Sequence, residues 1–132
     1  MKLLLDTNIC IYVIKKKPAT VLDQFRNFTP VDVGVSSITV FELMYGVYKS
    51  QSPIKNLAAL NLFLTPLTIV DFDKNDATTC GRIRAELEAK GQIIGPFDLQ
   101  IAAQALRRKL TLVSNNLREF KRVPHLKTVN WQ

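Results

Sequence analysis

The strongest constraint in this chain is a repeated alternation. Short apolar runs of strand length are each followed by a longer segment with helical spacing. The runs are residues 2–5 (KLLL), Val31–Val35, Leu67–Val70 and Leu110–Val113, and Thr128-Val129 offers a fifth. Strands separated by helices need crossover connections, so they pair in parallel and the helices cover the sheet. The expected fold class is therefore an α/β sandwich with a mainly parallel central sheet of four to five strands. At 132 residues the chain fits a single domain, residues 1–132, large enough to bury a core without staples.

The helices are legible from their stops and spacing. Ile9 to Ile14 crowd a short helix that runs into Lys15-Lys16-Lys17, and Pro18 opens the next at its first turn. Ser36-Ser37 caps a helix to about Lys49, with Ile38, Phe41, Tyr45 and Tyr48 at spacings of three and four. Pro53 starts another through Leu64, and Pro66 ends it. Asp71 or Asp73 caps a long helix with Ala77, Cys80, Ile83 and Leu87 on one face, closed by Gly91. Residues 97–108 form a further helix, and a helical turn lies near Glu119. The Arg107-Arg108-Lys109 run reads as complementing a helix C-terminus.

Composition removes several classes of function. Hydrophobic content of 47% and charged content of 22% are ordinary for a globular protein. No stretch approaches a membrane helix, and Asp6 and Asn8 break the apolar start before it resembles a signal peptide. The expected location is the cytoplasm. Cys10 and Cys80 make no framework and read as reduced core residues. No GxGxxG or P-loop motif is present. The net charge of +7 favours polyanionic partners through steering and counterion release.

Four carboxylates stand in unusual places. Asp6 directly follows the first strand, Glu42 is embedded in ITVFELMYGV, Asp98 opens the helix of PFDLQIAAQAL, and Glu119 follows the fourth strand. Each has a plain structural explanation. Asp6 suits an N-cap, Glu42 an exposed helix face, and Asp98 a helix N-terminus. Asn116-x-x-Glu119 reads as a capping box. Together they point elsewhere. In a parallel sheet, ligands bind off the carboxyl ends of the strands, where these acids can meet. Acids gathered there repel one another unless a cation intervenes, and oxygen-only ligands fit Mg²⁺ or Mn²⁺. An acidic metal pocket in a basic chain is what phosphodiester hydrolysis requires. The only histidine, His125, lies in a polar turn and reads as a surface residue.

The segments LLLDTNI (3–9), SSITVFELMYG (36–46), IGPFDLQIAAQA (94–105) and LVSNNLREF (112–120) occur in an order and spacing that resembles the PIN-domain ribonucleases of the VapC toxin family. The resemblance runs nearly end to end. It implies a PIN-like three-layer α/β/α sandwich and an Mg²⁺- or Mn²⁺-dependent endoribonuclease. It also implies Asp6, Glu42 and Asp98 as the catalytic acids, with Asp6 and Asp98 on the metal. Thr7 and Asn8 would support the site, Asn8 by orienting Asp6. Ser114 matches the family hydroxyl after the fourth strand. Asn116 stands where the family usually carries an Asp, and Glu119, one turn onward, is the acid able to replace it. Arg118 and Lys121 are the candidate RNA contacts.

The resemblance further implies cleavage of RNA that leaves a 5′-phosphate, with tRNA cut in the anticodon loop and initiator tRNA as the first candidate. A VapB-type antitoxin is the implied partner. A homodimer is expected within a toxin–antitoxin hetero-oligomer, with Tyr45, Tyr48, Leu57, Leu60 and Phe63 as a possible surface. Two alternatives remain at this point. One is a haloacid-dehalogenase-like phosphatase with Asp6 as nucleophile, although Asn8 occupies the place of its second Asp. The other is a non-catalytic RNA- or partner-binding module, which would be marked by loss of one acid.

Overall fold

The computed structural model describes residues 1–132. Five strands, β1 (Leu3–Leu5), β2 (Val33–Ser36), β3 (Thr68–Val70), β4 (Thr111–Val113) and β5 (Thr128–Val129), form one sheet in the order β3-β2-β1-β4-β5. Every neighbouring pair is parallel. The helices are α1 (Thr7–Lys15), α2 (Ala19–Arg26), α3 (Ser37–Lys49), α4 (Pro53–Leu64), α5 (Lys74–Ala89), α6 (Pro96–Arg108) and α7 (Leu117–Phe120). No helix is long and apolar enough to cross a membrane.

The side-chain alternation of β1 divides the interior into two layers. Leu3 and Leu5 enter one core cluster with Val33 and Val35, Ile9, Leu43 and Leu60. Leu4 enters the other with Ile83, Leu87, Ile101 and Leu112. Helices α1 to α4 therefore cover one face, and α5 and α6 the other. This is the expected three-layer sandwich. β1 is buried on both sides, as a strand in the middle of a parallel sheet must be.

Register sets the site. Leu5 pairs with Val35 on one side and Val113 on the other, so β1, β2 and β4 run out close together at the carboxyl edge. The chain passes from β1 outward through β2 to β3, then crosses to β4 and β5 on the far side of β1. The gap after β1 and β4 is thus the topological switch point, where open α/β sheets bind ligands. The backbone N–H of Asp6 donates to the Val113 carbonyl at 3.0 Å, tying the two strand ends together.

Several local expectations change. The second strand starts at Val33 rather than Val31, because Pro30 to Asp32 form a 3₁₀ turn and leave Val31 exposed. Proline at the turn's first position presets its φ. Pro18 sits at the N-cap of α2 rather than inside it. The long helix is capped by Asp73, whose carboxylate accepts from the Asp76 N–H while Asp76 accepts from the Asp73 N–H. Gly91 does end it, at φ +67°, where a side chain would be strained. Within the proposed dimer surface, Leu60 is buried and Leu57 and Phe63 pack against the core. The residues of α4 at that spacing hold α4 on the domain, and only Tyr45 and Tyr48 are left in solvent.

Arg107 and Arg108 do more than complement a helix dipole. Both guanidinium groups clamp the fully buried Asp76 carboxylate at the start of α5, Arg107 Nε at 2.7 Å and Arg108 Nη2 at 3.0 Å. Arg107 also reaches Asp73 at 3.0 Å. Gln104, also buried, accepts from the Ser36 hydroxyl and donates to the Val70 carbonyl, so α6 is stitched to the ends of β2 and β3. Burial pushes the Asp76 carboxyl up. The hydrogen bonds from Arg108, Arg107 and Asp73 outweigh that and hold it at about 2.

A carboxylate lowered in the folded state stabilises the fold above its unfolded value, and that stability fades as pH falls through the folded value. The lowering from 3.8 to about 2 is worth about 2 kcal/mol. Asp76→Asn is expected to lower stability by about 2–4 kcal/mol at pH 7, because it leaves two arginines facing a neutral partner. Urea unfolding between pH 4 and pH 2 tests this: the wild type should lose this increment across the window, and the variant should not.

Candidate active site

Asp6 is the first residue after β1 and the N-cap of α1. One carboxylate oxygen accepts from the Ile9 N–H at 2.9 Å, and Ser114, the residue after β4, lies near the same carboxyl and favours its charged form. The N-cap reading and the site reading are therefore both met by one side chain. Burial raises its pKa, and Ser114 and the Ile9 N–H oppose that rise. Asn8 does not orient Asp6. Its side chain is exposed, and Asp6 is met by Ile9 and Ser114 instead. The reason is helical geometry: two residues past an N-cap, a side chain points away from the cap.

Glu42 lies in the second turn of α3 and is only partly exposed. Thr7, the first residue of α1, donates to Glu42 Oε1 at 2.6 Å. The Thr7 hydroxyl also lies 3.2 Å from that of Thr39, one turn before Glu42. Thr7 thus supports the site by fixing Glu42 rather than Asp6. Thr39 was not singled out from the sequence. Its only signal was a threonine three residues before the glutamate in an otherwise apolar helix.

Asp98 lies in the first turn of α6, whose N-terminal end favours a negative charge. Its carboxyl is nonetheless raised to about 6. Burial is the largest cause, followed by the negative charges of Glu119, Asp6 and Glu42. Those three acids bear on Asp98 from three different elements.

The 112–120 segment is not a capping box. The Asn116 side chain makes no cap bond, and its backbone N–H donates to the Ser114 hydroxyl at 2.8 Å, not to Glu119. Instead the Asn116 amide donates to Glu119 Oε2 at 2.8 Å. The other oxygen, Oε1, accepts from the Gly95 N–H at 2.6 Å. Gly95 is the N-cap residue of α6. Glu119 therefore braces the end of β4 against the helix that carries Asp98. A four-residue helix gains little from a cap, whereas this bridge joins two parts of the site. Arg118 and Lys121 are both exposed beside it. His125 is exposed and Cys10 and Cys80 are unpaired thiols, as expected.

The donor set fits a hard divalent cation. It is oxygen only, carries excess negative charge, and includes a carboxyl raised by burial and by its acidic neighbours. No three of the acids stand together as a ready-made chelate.

Asp6 and Ser114 stand at the switch point of a parallel sheet, the place where such folds bind ligands. The PIN domain family matches residues 3–126. The tRNA(fMet)-specific endonuclease VapC of Shigella flexneri is 47% identical over 99% of this chain and 98% of its own. Ribonuclease VapC2 of Haemophilus influenzae is 50% identical over the same shares, 99% and 98%. Among solved structures, DNA-bound VapBC from Salmonella typhimurium superposes with a TM-score of 0.94 at 44% identity, covering 100% of this chain and 99% of that one. The chain belongs to the PIN-domain family, among its VapC ribonucleases. That membership sets aside the phosphatase reading.

A raised carboxyl costs stability above its folded pKa, and the cost disappears as protonation sets in. Removing the charge at Asp98, which titrates near 6, should stabilise the metal-free protein at pH 8. Asp98→Asn is expected to gain about 1–2 kcal/mol there after discounting for partial exposure. The gain should shrink toward pH 5. Thermal melts across that range test the sign, and added MgCl₂ should raise the melting point of the wild type more than that of the variant.

Glu119 gives a separate test. Gln retains an acceptor for Gly95, and the Asn116 amide can turn to offer its oxygen. Glu119→Gln is expected to keep its stability within about 0.5 kcal/mol, while Glu119→Ala loses about 1 kcal/mol. Cleavage should fall in both if the charge serves the site. Full activity in the Gln variant would make Glu119 a brace alone.

Proposed function

We propose that this chain is the toxin of a type II toxin–antitoxin pair, an endoribonuclease that uses Mg²⁺ or Mn²⁺ to cut initiator tRNA in its anticodon loop. The observation that carries the reading is the end-to-end likeness to VapC ribonucleases, with Asp6, Glu42 and Asp98 set at or near the strand ends. Asp6 and Asp98 would hold the cation, with Glu42 less directly engaged. When bound, the cation supplies Lewis acidity toward a water and toward the phosphate.

The chain's own residues do the positioning. Ser114 and the Ile9 amide fix the Asp6 carboxylate, and the buried strand beneath it allows little drift. Thr7 donates to Glu42 and so holds its side chain in place. Glu119 and Asn116 hold the start of α6, and so the height of Asp98 above the sheet. Arg118 and Lys121, exposed beside the acids, hold the phosphates that flank the cut.

An unpaired loop suits this site because its phosphate and bases can be splayed away from a duplex. The target follows the name of the Shigella relative, a tRNA(fMet)-specific endonuclease. The partner follows the Salmonella structure, a VapBC assembly; a VapB-type antitoxin is the corresponding partner here. The net charge of +7 supports an RNA substrate through counterion release.

Incubation of the purified chain with total RNA and Mg²⁺ or Mn²⁺, followed by mapping of new 5′-phosphate ends, tests the reading. Ends should appear in the anticodon loop of initiator tRNA and vanish with EDTA. Asp98→Asn should fold and lose at least about a hundredfold in rate, the scale of removing one preorganised charge contact. Cleavage by that variant at the wild-type rate would sink the metal reading. Ends scattered over many RNAs would sink the tRNA assignment.

A further inference from the structure

Two phenylalanines stand next in sequence to two of the site acids. Phe41 precedes Glu42 on α3, and Phe97 precedes Asp98 on α6. Their ring centroids are 5.5 Å apart with the planes at 73°, an edge-to-face pair that bridges the two helices. Both rings remain in solvent, Phe41 54% and Phe97 42% exposed. The pair thus joins the two helices at the positions that adjoin Glu42 and Asp98 in sequence. The same face of α3 continues into Tyr45 and Tyr48. Tyr45 differs, because Lys49 Nζ covers its ring at 4.7 Å from the centroid. The Phe pair carries no polar atom and has no such cover.

We infer that Phe41 and Phe97 form a stacking platform for the unpaired nucleobase beside the scissile phosphate. This rests on the ribonuclease reading and adds the residues that place its substrate. In an edge-to-face pair one ring face receives the partner's edge, and the opposite faces stay open to a flat ligand. A nucleobase is flat and uncharged, so it can lie against the rings while its phosphate enters the acid site. Stacking on aromatic side chains is how proteins hold splayed single-stranded bases, whatever their identity. A second copy of this chain is the competing occupant, since Tyr45 and Tyr48 on the same face are the expected dimer surface, and the mass measurement below separates the two. Continuity with the acids, rather than exposure alone, distinguishes this pair from the chain's scattered surface apolar residues.

The test uses an anticodon stem-loop RNA carrying a fluorescent purine analogue next to the cut, bound to Asp98→Asn protein so that the RNA stays intact. Stacking should quench the analogue on binding. Adding Phe41→Ala and Phe97→Ala should abolish the quench and weaken binding by about tenfold or more. Phe41→Tyr with Phe97→Tyr should restore both, whereas Phe41→Leu with Phe97→Leu, which keeps apolar bulk without a ring face, should not. In the otherwise wild-type enzyme the Ala pair should raise KM with little change in kcat. An abasic nucleotide at the same position should weaken the parent equally and the Ala pair no further. Absence of a quench with the parent overturns the platform, as does unchanged affinity in the Ala pair. A fall in particle mass by light scattering in the Ala pair would assign the rings to contact between copies. Quenching without any cleavage by the wild type would retain the platform and reject the ribonuclease reading.

Discussion

Everything in this molecule hangs on the pairing of β1 between β2 and β4. Three leucines, Leu3 to Leu5, are buried on both faces and send alternate side chains into two separate cores. The in-line register of Leu5 with Val35 and Val113 then delivers Asp6 and Ser114 to the same edge. A slip of one residue would exchange the two faces of β1 and turn Asp6 into the sheet. The position of the first acid is therefore protected by the whole hydrophobic interior.

The protein carries two kinds of carboxylate, and its electrostatics separates them. Asp76 is fully buried yet held at about 2, because Arg107 and Arg108 both donate to it. Asp98 is raised to about 6, first by its burial and then by the acids Glu119, Asp6 and Glu42, with no basic side chain to offset them. The first arrangement locks α5 against α6. The second sets like charges near one another, a repulsion that a divalent cation would relieve. One helix, α6, carries both ends of this contrast: Asp98 in its first turn and the two arginines in its last.

Much of this was legible in the chain. Apolar periodicity placed the helices within a residue or two, and the positions of Asp6, Glu42, Asp98 and Glu119 after strands or in apolar helices marked the site. Capping rules found Ser36 and Asp73. Side-chain partnership was what local rules missed. Asn116 and Glu119 have capping-box spacing, but the Gly95 amide, distant in sequence, captures the glutamate. Arg107 and Arg108 look like dipole partners until α5 presents Asp76 to them. Leu57 and Phe63 look like an interface until the core takes them.

The sequence by itself determined the order of elements, the parallel sense of the sheet, and which acids lie near strand ends. These follow from local periodicity and from the length that a crossover demands. Only the tertiary structure decided which strand is central, that Thr7 serves Glu42 rather than Asp6, and that Glu119 ties β4 to α6. It alone set Phe41 against Phe97. Those outcomes depend on contacts between residues far apart in the chain, where register and burial outweigh any preference that a short stretch can express.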